Sequence, residues 1–277
     1  MKRLIYMPKA LYTFFSFILV IFSVAPFVHV VKAAIPQEDH LLVYYDFDRK
    51  EAEDLSENGN DGILLGGGWA DSMEGYGKAY EMPFVQVDGT RLVGEGQIDI
   101  PGMSDFHIDK AEPFTITAWL KTSCPDAGCR GSVIAKDTSF RIEAPAYGNW
   151  RMLVQNRPGA PGNEIRVNGG AFPLKDAEQW IHIAVVYDGK EVKLYKDGQP
   201  DGKLEETPDG SNGGFGIKPG FGSYTGLIDE FAVWNADLTD KEISEIMSAP
   251  MTSEKVKAVE PSDKLPTRWG KVKKQIQ

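Results

Sequence analysis

Cysteine and histidine are scarce in this chain of 277 residues, with two of the first and four of the second. The histidines (His29, His40, His107 and His182) are scattered, and no His-Glu-x-x-His occurs, which removes a zinc hydrolase of that type. A Gly-x-Ser-x-Gly elbow is also missing, and with it the α/β-hydrolase type of serine nucleophile. Basic charge is in deficit: 30 Lys and Arg face 40 Asp and Glu, for a net charge of −10. Such a balance argues against nucleic acid as a partner, because phosphate binding needs a basic face. Helical periodicity is rare too, and only one segment near the C-terminal end carries it convincingly.

The ends of the chain differ from its middle. Residues 1 to 33 open with Lys2, Arg3 and Lys9, run apolar from Leu11 to Val31, and end in small residues at Val31 and Ala33. That is the layout of an export signal removed after Ala33; an uncleaved membrane anchor is the alternative, against which Pro26 and the Val-Lys-Ala ending count. The expectation is a secreted or cell-surface protein with no membrane span after signal cleavage. Those 33 residues hold four basic residues and no acid, so the remainder carries 26 against 40, or −14. From Pro250 to Gln277 the sign reverses, with seven Lys or Arg against Glu254, Glu260 and Asp263. This segment reads as a disordered linker and basic tail, KLPTRWGKVKKQ, that adheres weakly to acidic surfaces, with a sorting or surface-association role as the alternative. The domain boundaries are therefore 1–33, 34–249 and 250–277. Cys124 and Cys129 bracket Pro-Asp-Ala-Gly, and an even count in an exported chain predicts a disulfide that stiffens one small loop. A metal pair is the weaker reading, since no second Cys or His pair accompanies them.

Between the ends the pattern is β. Asp-Gly occurs six times, at Asp61, Asp88, Asp188, Asp197, Asp201 and Asp209, and between apolar runs it predicts hairpin turns. Strands are predicted at 41–47, 114–120, 132–136, 140–143, 150–155, 180–187, 192–196 and 227–234. Phe114, Ile116, Ala118 and Leu120 alternate with Thr115, Thr117 and Trp119, whereas Ile181 to Tyr187 is apolar on both faces and so belongs in a sheet centre. Many short strands with one helix at 239–247, which Thr239 and Glu242 cap reciprocally, predict an all-β fold of two packed antiparallel sheets.

Eight strings then resemble one family in order: LLVYYDFD at Leu41, DLSENGNDGILLGG at Asp54, GKAYEM at Gly77, PFTITAWLK at Pro113, SVIAKD at Ser132, QWIHIAVVYDG at Gln179, VKLYKDGQP at Val192 and GLIDEFAVWNADLTDKEI at Gly226. The chain resembles the laminin-G-like, concanavalin A-like jelly rolls of exported bacterial proteins. The resemblance implies a two-sheet jelly-roll sandwich with a short C-terminal helix. Members include carbohydrate-binding modules, adhesion domains and some glycanases, so fold leaves function open. Jelly-roll glycanases resemble one another in a Glu-x-Asp-x-x-Glu or Glu-x-Asp-x-Glu strand. The predicted strands lack that spacing, and Glu51, Glu53, Asp54 and Glu57 fall in a polar turn instead.

Two chemistries stay open. Calcium takes hard oxygen ligands, and Asp54, Ser56, Asn58 and Gly59 start a calcium-loop pattern whose closing Glu position holds Leu65. Related jelly rolls share a structural calcium between an acid near the first strand and the Asp of the last, which here points to Asp48 and Asp229. Asx turns at Asp54 and Asn58 and amide capping by Asp229 are the competing reading. Sugar binding needs an aromatic platform beside fixed polar groups, and Tyr147 and Trp150 with Arg141 and Asn149 are the candidates, followed by Phe215, Phe221 and Tyr224. Trp119, Trp180 and Trp234 read as core, and His182 as a packed histidine. The sequence thus predicts a noncatalytic recognition or adhesion module whose partner is a glycan or a cell-surface protein. The runner-up is a structural or protein-interaction domain stabilised by calcium, and a glycan hydrolase comes third.

Overall fold

The computed structural model describes residues 32–252 except 88–90, 95, 104–105, 107–111, 125–129, 137–139, 156–163, 175–177, 206–214 and 219–223. Most of the export segment, the tail from residue 253, Cys129, Phe221 and the Asp88 and Asp209 turns lie outside the described residues.

In chain order the strands are β1 (Ala33–Ala34), β2 (Leu41–Tyr45), β3 (Ile63–Leu65), β4 (Gly68–Asp71), β5 (Lys78–Met82), β6 (Phe84–Val87), β7 (Arg91–Gly94), β8 (Gln97–Asp99), β9 (Phe114–Thr122) and β10 (Arg130–Lys136). They continue with β11 (Phe140–Ala146), β12 (Asn149–Gln155), β13 (Glu164–Ala171), β14 (Ile181–Tyr187), β15 (Val192–Lys196), β16 (Gln199–Leu204), β17 (Phe215–Ile217) and β18 (Gly226–Trp234). Helix α1 (Asp240–Met247) and β19 (Met251–Thr252) follow. All eight predicted strands are present, their ends displaced by three residues at most.

Two antiparallel sheets pack face to face as a jelly-roll sandwich. One has the order β13-β12-β11-β10-β17-β8-β3; the other has β16-β15-β14-β9-β18-β5-β4, with β2 also paired to β18. The core between them takes alternate residues of each strand, such as Phe114, Ile116, Ala118 and Leu120 of β9 and Ile183, Val185 and Tyr187 of β14. The other face of the eight-stranded sheet is covered as well. Helix α1 presses Ile243 and Ile246 onto Ala184, Val186, Tyr195, Ala232 and Trp234. This second core explains why β14 is apolar on both sides. It also buries Thr115, whose hydroxyl donates to Ala236 O (2.7 Å) and accepts from Leu238 N (3.0 Å), fixing the approach to the helix. Thr239 and Glu242 form the expected capping box.

Three sequence expectations change. Asp197 and Gly198, both at positive φ, make the two-residue hairpin turn between β15 and β16, but Asp201 and Gly202 lie inside β16 and Asp61–Gly62 precedes β3 without a hairpin. Glycine is required at 62 and 202 for closeness rather than turning, because a Cβ there would collide with Ile98 and with the Asn168 carbonyl. The folded domain also runs past residue 249: β1 pairs in parallel with β19, Ala33 N donates to Pro250 O (2.8 Å), and Ile35 and Met251 enter the second core.

Candidate functional site

Strands β11 and β12 meet at the turn Tyr147–Gly148, where both residues have positive φ and Ala146 pairs with Asn149. The turn lifts the Tyr147 ring into solvent at 58% exposure, with Asn149 exposed beside it. Arg151 holds its guanidinium carbon 6.0 Å from the centre of that ring, within cation–π range. On the same sheet face Glu143 pairs across the strands with Arg151 and stands two residues from Arg141. Glu143 Oε1 accepts from Arg141 Nε (3.0 Å), and Oε2 accepts from Arg151 Nε (2.8 Å) and Nη2 (2.7 Å). The carboxylate is fully buried. Two guanidinium groups supply the charge that such burial demands, and together the three side chains form a rigid floor behind Tyr147.

Trp150 does not share this surface. Alternation along β12 turns Asn149 and Arg151 outward and Trp150 inward, where it is completely buried between the sheets. Its Nε1 donates to Asp201 Oδ2 (2.6 Å), which also accepts from Gly170 N (2.7 Å). A side chain at Gly169 would overlap the indole. Trp150 is therefore a packing residue that joins the edges of the two sheets, and the sugar-platform expectation for it is withdrawn. Phe215, Tyr224 and Trp234 are likewise buried, and Trp119 and Trp180 are partly so. Glu143 was missed in the sequence. The spacing of Arg141 and Glu143 signals a shared face, but the third member follows only from strand register.

The oxygen-rich site centres on a bulge in β18. Asp229 pairs with Trp119 and Ala232 with Thr117, so three steps on one strand match two on the other. The extra residue, Glu230, sits at φ +48°. Asp229 is buried, with Oδ1 accepting from Glu230 N (2.8 Å) and Oδ2 from the Ser72 hydroxyl. Burial first, then the Glu230 charge and more weakly that of Asp48, push its carboxyl up to about 9. Glu230 Oε2 accepts from the Tyr44 hydroxyl (2.8 Å) and Met251 N (3.0 Å), and burial pushes it up to about 7. Asp48 Oδ1 accepts from Lys78 N (2.9 Å) and crowds Gly77, where no Cβ fits.

Asp229, Asp48 and Ser72 are hard oxygen donors of the kind calcium takes. Among the described residues no group of three or more His, Cys, Asp or Glu is arranged to hold a metal, so a calcium there would draw on hydroxyl and backbone oxygens as well. Asp54 and Asn58 play another part. Asp54 accepts Tyr44 N and Ser56 N on Oδ1, and the Ser56 hydroxyl and Asn60 N on Oδ2, while Asn58 Nδ2 donates to Leu41 O (2.7 Å). Their polar atoms are used in holding a turn against β2, which is the Asx-turn reading of that segment.

The family model of the concanavalin A-like lectin/glucanases superfamily, laminin G type, matches residues 93–244, more than half of the chain. The chain belongs to this superfamily. Among curated proteins none matches it. In fold it is similar to the binding domain of paraclostridial mosquitocidal protein 1, with a TM-score of 0.61 and 15% identity over 76% of this chain and 52% of that one. It is also similar to domain 4 of an extracellular arabinanase from Geobacillus stearothermophilus, solved with arabinotriose: TM-score 0.51 and 21% identity over 78% of this chain and 100% of that one. The binding domain of botulinum neurotoxin DC, solved with rat synaptotagmin II, gives a TM-score of 0.57 and 11% identity over 76% of this chain and 52% of that one. The chain spans about half the length of the two toxin domains. The two toxin structures are binding domains, and at such identities the likeness of all three is one of fold. Among the described residues no helix is long and apolar enough to cross a membrane.

Proposed function

We propose that this chain is an exported recognition module that binds a glycan at the Tyr147 hairpin without cleaving it. The observation that carries the reading is the exposed Tyr147 ring, backed by Arg151 and flanked by Asn149. An aromatic face for the apolar side of a pyranose, with Arg151 held by Glu143 and the exposed Asn149 amide for its hydroxyls, is what a shallow sugar site requires. The lectin-type family and the sugar-bound arabinanase domain support the same class of ligand. The noncatalytic part rests on the acids that are described. Glycoside hydrolysis needs two carboxyl groups facing one cleft, one of them able to donate a proton. Glu143 has its oxygens engaged by two arginines and Asp54 by four turn donors, while Asp201 Oδ2 holds Trp150 and Gly170.

A structural calcium held by Asp48 and Asp229 with Ser72, and a disulfide between Cys124 and Cys129, belong to the same proposal. Cys124 is buried at the end of β9 and is not a free thiol, and the chain has one other cysteine. The export layout of residues 1–33 supports a secreted or surface-attached protein. A glycan-array screen with and without a calcium chelator tests the ligand. Tyr147→Ala is expected to weaken array binding with no change in melting temperature. Release of reducing sugar from a bound polymer, stopped by a single acid substitution, would overturn the noncatalytic reading. The second reading, a protein partner, is favoured by the neurotoxin domain solved with synaptotagmin and takes over if no glycan binds.

A further inference from the structure

On the outer face of the eight-stranded sheet, at its β16 edge, lies a cleft of about 500 Å³ bounded by Lys193 and Tyr195 of β15, Asp201, Gly202 and Lys203 of β16, and Asp240 of α1. We infer that this cleft is a second binding site, separate from the Tyr147 hairpin, for a short neutral oligosaccharide. The volume falls within the roughly 300–1,000 Å³ of small-ligand sites.

Register makes the cleft. Val192 and Leu194 point into the inter-sheet core, so Lys193 and Tyr195 point outward. A bulge between Leu194 and Tyr195 shifts β16 so that Pro200 pairs with Tyr195. Gly202, kept small by the Asn168 carbonyl behind it, adds no side chain, and α1 ends the opening on the far side.

The lining is held in place before any ligand arrives. The Tyr195 hydroxyl donates to Asp240 Oδ1 (2.7 Å). Lys203 Nζ bonds Glu191 (2.8 Å), and Lys193 Nζ bonds Asp188 (3.0 Å), which in turn accepts from Glu191 N (2.9 Å). On the deep side Asp201 Oδ2 holds the Trp150 indole and Gly170 N. A carboxylate has about four acceptor directions, so Asp201 Oδ1 and Asp240 Oδ2 keep theirs. Fixed groups lose little entropy on binding, which is where a shallow polar site gains affinity.

The charges select the ligand class. Three lining carboxylates, Glu191, Asp201 and Asp240, stand against two lysines that are already paired. An anionic sugar would meet a lining with one negative charge in excess. A neutral sugar offers hydroxyl donors to the free carboxylate oxygens and an apolar ring face to Pro200 and the lysine stems.

The inference shares its ligand class with the proposed function and adds a separate location. The test is titration of the full chain with arabinotriose, cellotriose and sialyllactose, followed by amide chemical shifts. The two neutral trisaccharides, or one of them, should move residues 191–203 and Asp240, and sialyllactose should leave them still. Pro200→Trp fills the opening with an indole, and Asp240→Ala removes an acceptor; each should raise the dissociation constant at the cleft at least tenfold while shifts at Tyr147 persist. Movement at Tyr147 with none at 191–203 overturns the cleft and leaves the proposed function standing. Movement of the cleft by sialyllactose alone overturns the selection for neutral sugars. Silence at both places overturns the cleft and the glycan reading together.

Discussion

Truncating Trp150 to alanine separates a packing role from a binding role. The indole is fully buried between the sheets, against Gly169, and holds Asp201 through Nε1 at 2.6 Å. Removing a buried tryptophan side chain costs about 3–5 kcal/mol in lost transfer energy and cavity. Asp201 keeps the Gly170 amide but loses its indole donor, which adds about 1–3 kcal/mol if nothing replaces it. Against a total stability of roughly 5–15 kcal/mol, the change is severe. At about 2–4 °C per kcal/mol for a domain of this size, the two contributions together should lower the melting temperature by roughly 8–32 °C. Trp150→Phe retains most of the ring volume and should lose only the hydrogen-bond share. Combined with Asp201→Asn in a double-mutant cycle, it should show a coupling of about 0.5–3 kcal/mol. Calorimetry gives the melting temperatures, and near-ultraviolet circular dichroism reports the environment of the remaining tryptophans. A Trp150→Ala protein that melts within about 2 °C of the parent and loses sugar binding would refute this placement of the indole.

Three other outcomes follow from the buried polar groups and the helix cap. If calcium sits on Asp229, excess calcium raises the melting temperature, a chelator lowers it, and Asp229→Ala removes the difference; equal melting curves with calcium and chelator would defeat the metal site. His182 is buried and pushed down to about 3 by burial alone, below its ordinary 6.5. Its neutral form therefore stabilises the fold above pH 6.5, and that contribution drains away as pH falls towards 3. Between pH 7 and pH 4 the loss is about 3 kcal/mol, so His182→Phe should flatten the acid limb of the stability curve, and an unchanged limb would disprove it. Thr239→Ala removes one half of the capping box and should cost about 0.5–2 kcal/mol by denaturant midpoint, with no effect on sugar binding.

Strand positions were legible because apolar alternation and turn residues are local signals, and α1 was legible because both halves of its cap lie within four residues. What covers each face was not. Thr115, Thr117 and Trp119 make up the second face of β9, and α1 and its approach cover much of it, a tertiary fact with no local signature. Trp150 failed for a related reason. Tyr147, Asn149 and Trp150 are neighbours in sequence, but strand parity places Trp150 on the core side, and parity is settled by the register of β12 against β11 and β13. Strand β13 was missed because its alternation is short, Ile165 and Val167 between Glu164, Arg166 and Asn168, and gives way to two glycines; the glycines serve the contact with Trp150 and Asp201. The Asp201-Gly202 pair resembles a turn for the same reason that it is not one: glycine answers a close approach as readily as a positive φ.

The bulge at Glu230 shows why Ile-Asp-Glu weighs more than other short strings in the chain. Ile228, Phe231 and Val233 face the inter-sheet core, whereas Ala232 and Trp234 face α1. Strict alternation from Ile228 would place Glu230 in the apolar core and turn Phe231 and Val233 away from it. One extra residue in a left-handed conformation restores the parity and leaves Glu230 on the outer side, where Tyr44 and Met251 receive its carboxylate. The strained residue is thus set by the requirement that both halves of β18 bury their apolar side chains. Its carboxylate then ties β2 to β19, and through β19 to β1, so the segment after the export region and the segment before the tail depend on the same acid. Deleting Glu230 would leave Ile228, Phe231 and Val233 at alternate positions of a regular strand and remove the acid with the bulge, whereas Glu230→Gln keeps the bulge and an acceptor for Met251 N. A sandwich that survives both changes, with residues 33–36 and 250–252 loosened fully by the deletion and only in part by the glutamine, is what this arrangement requires.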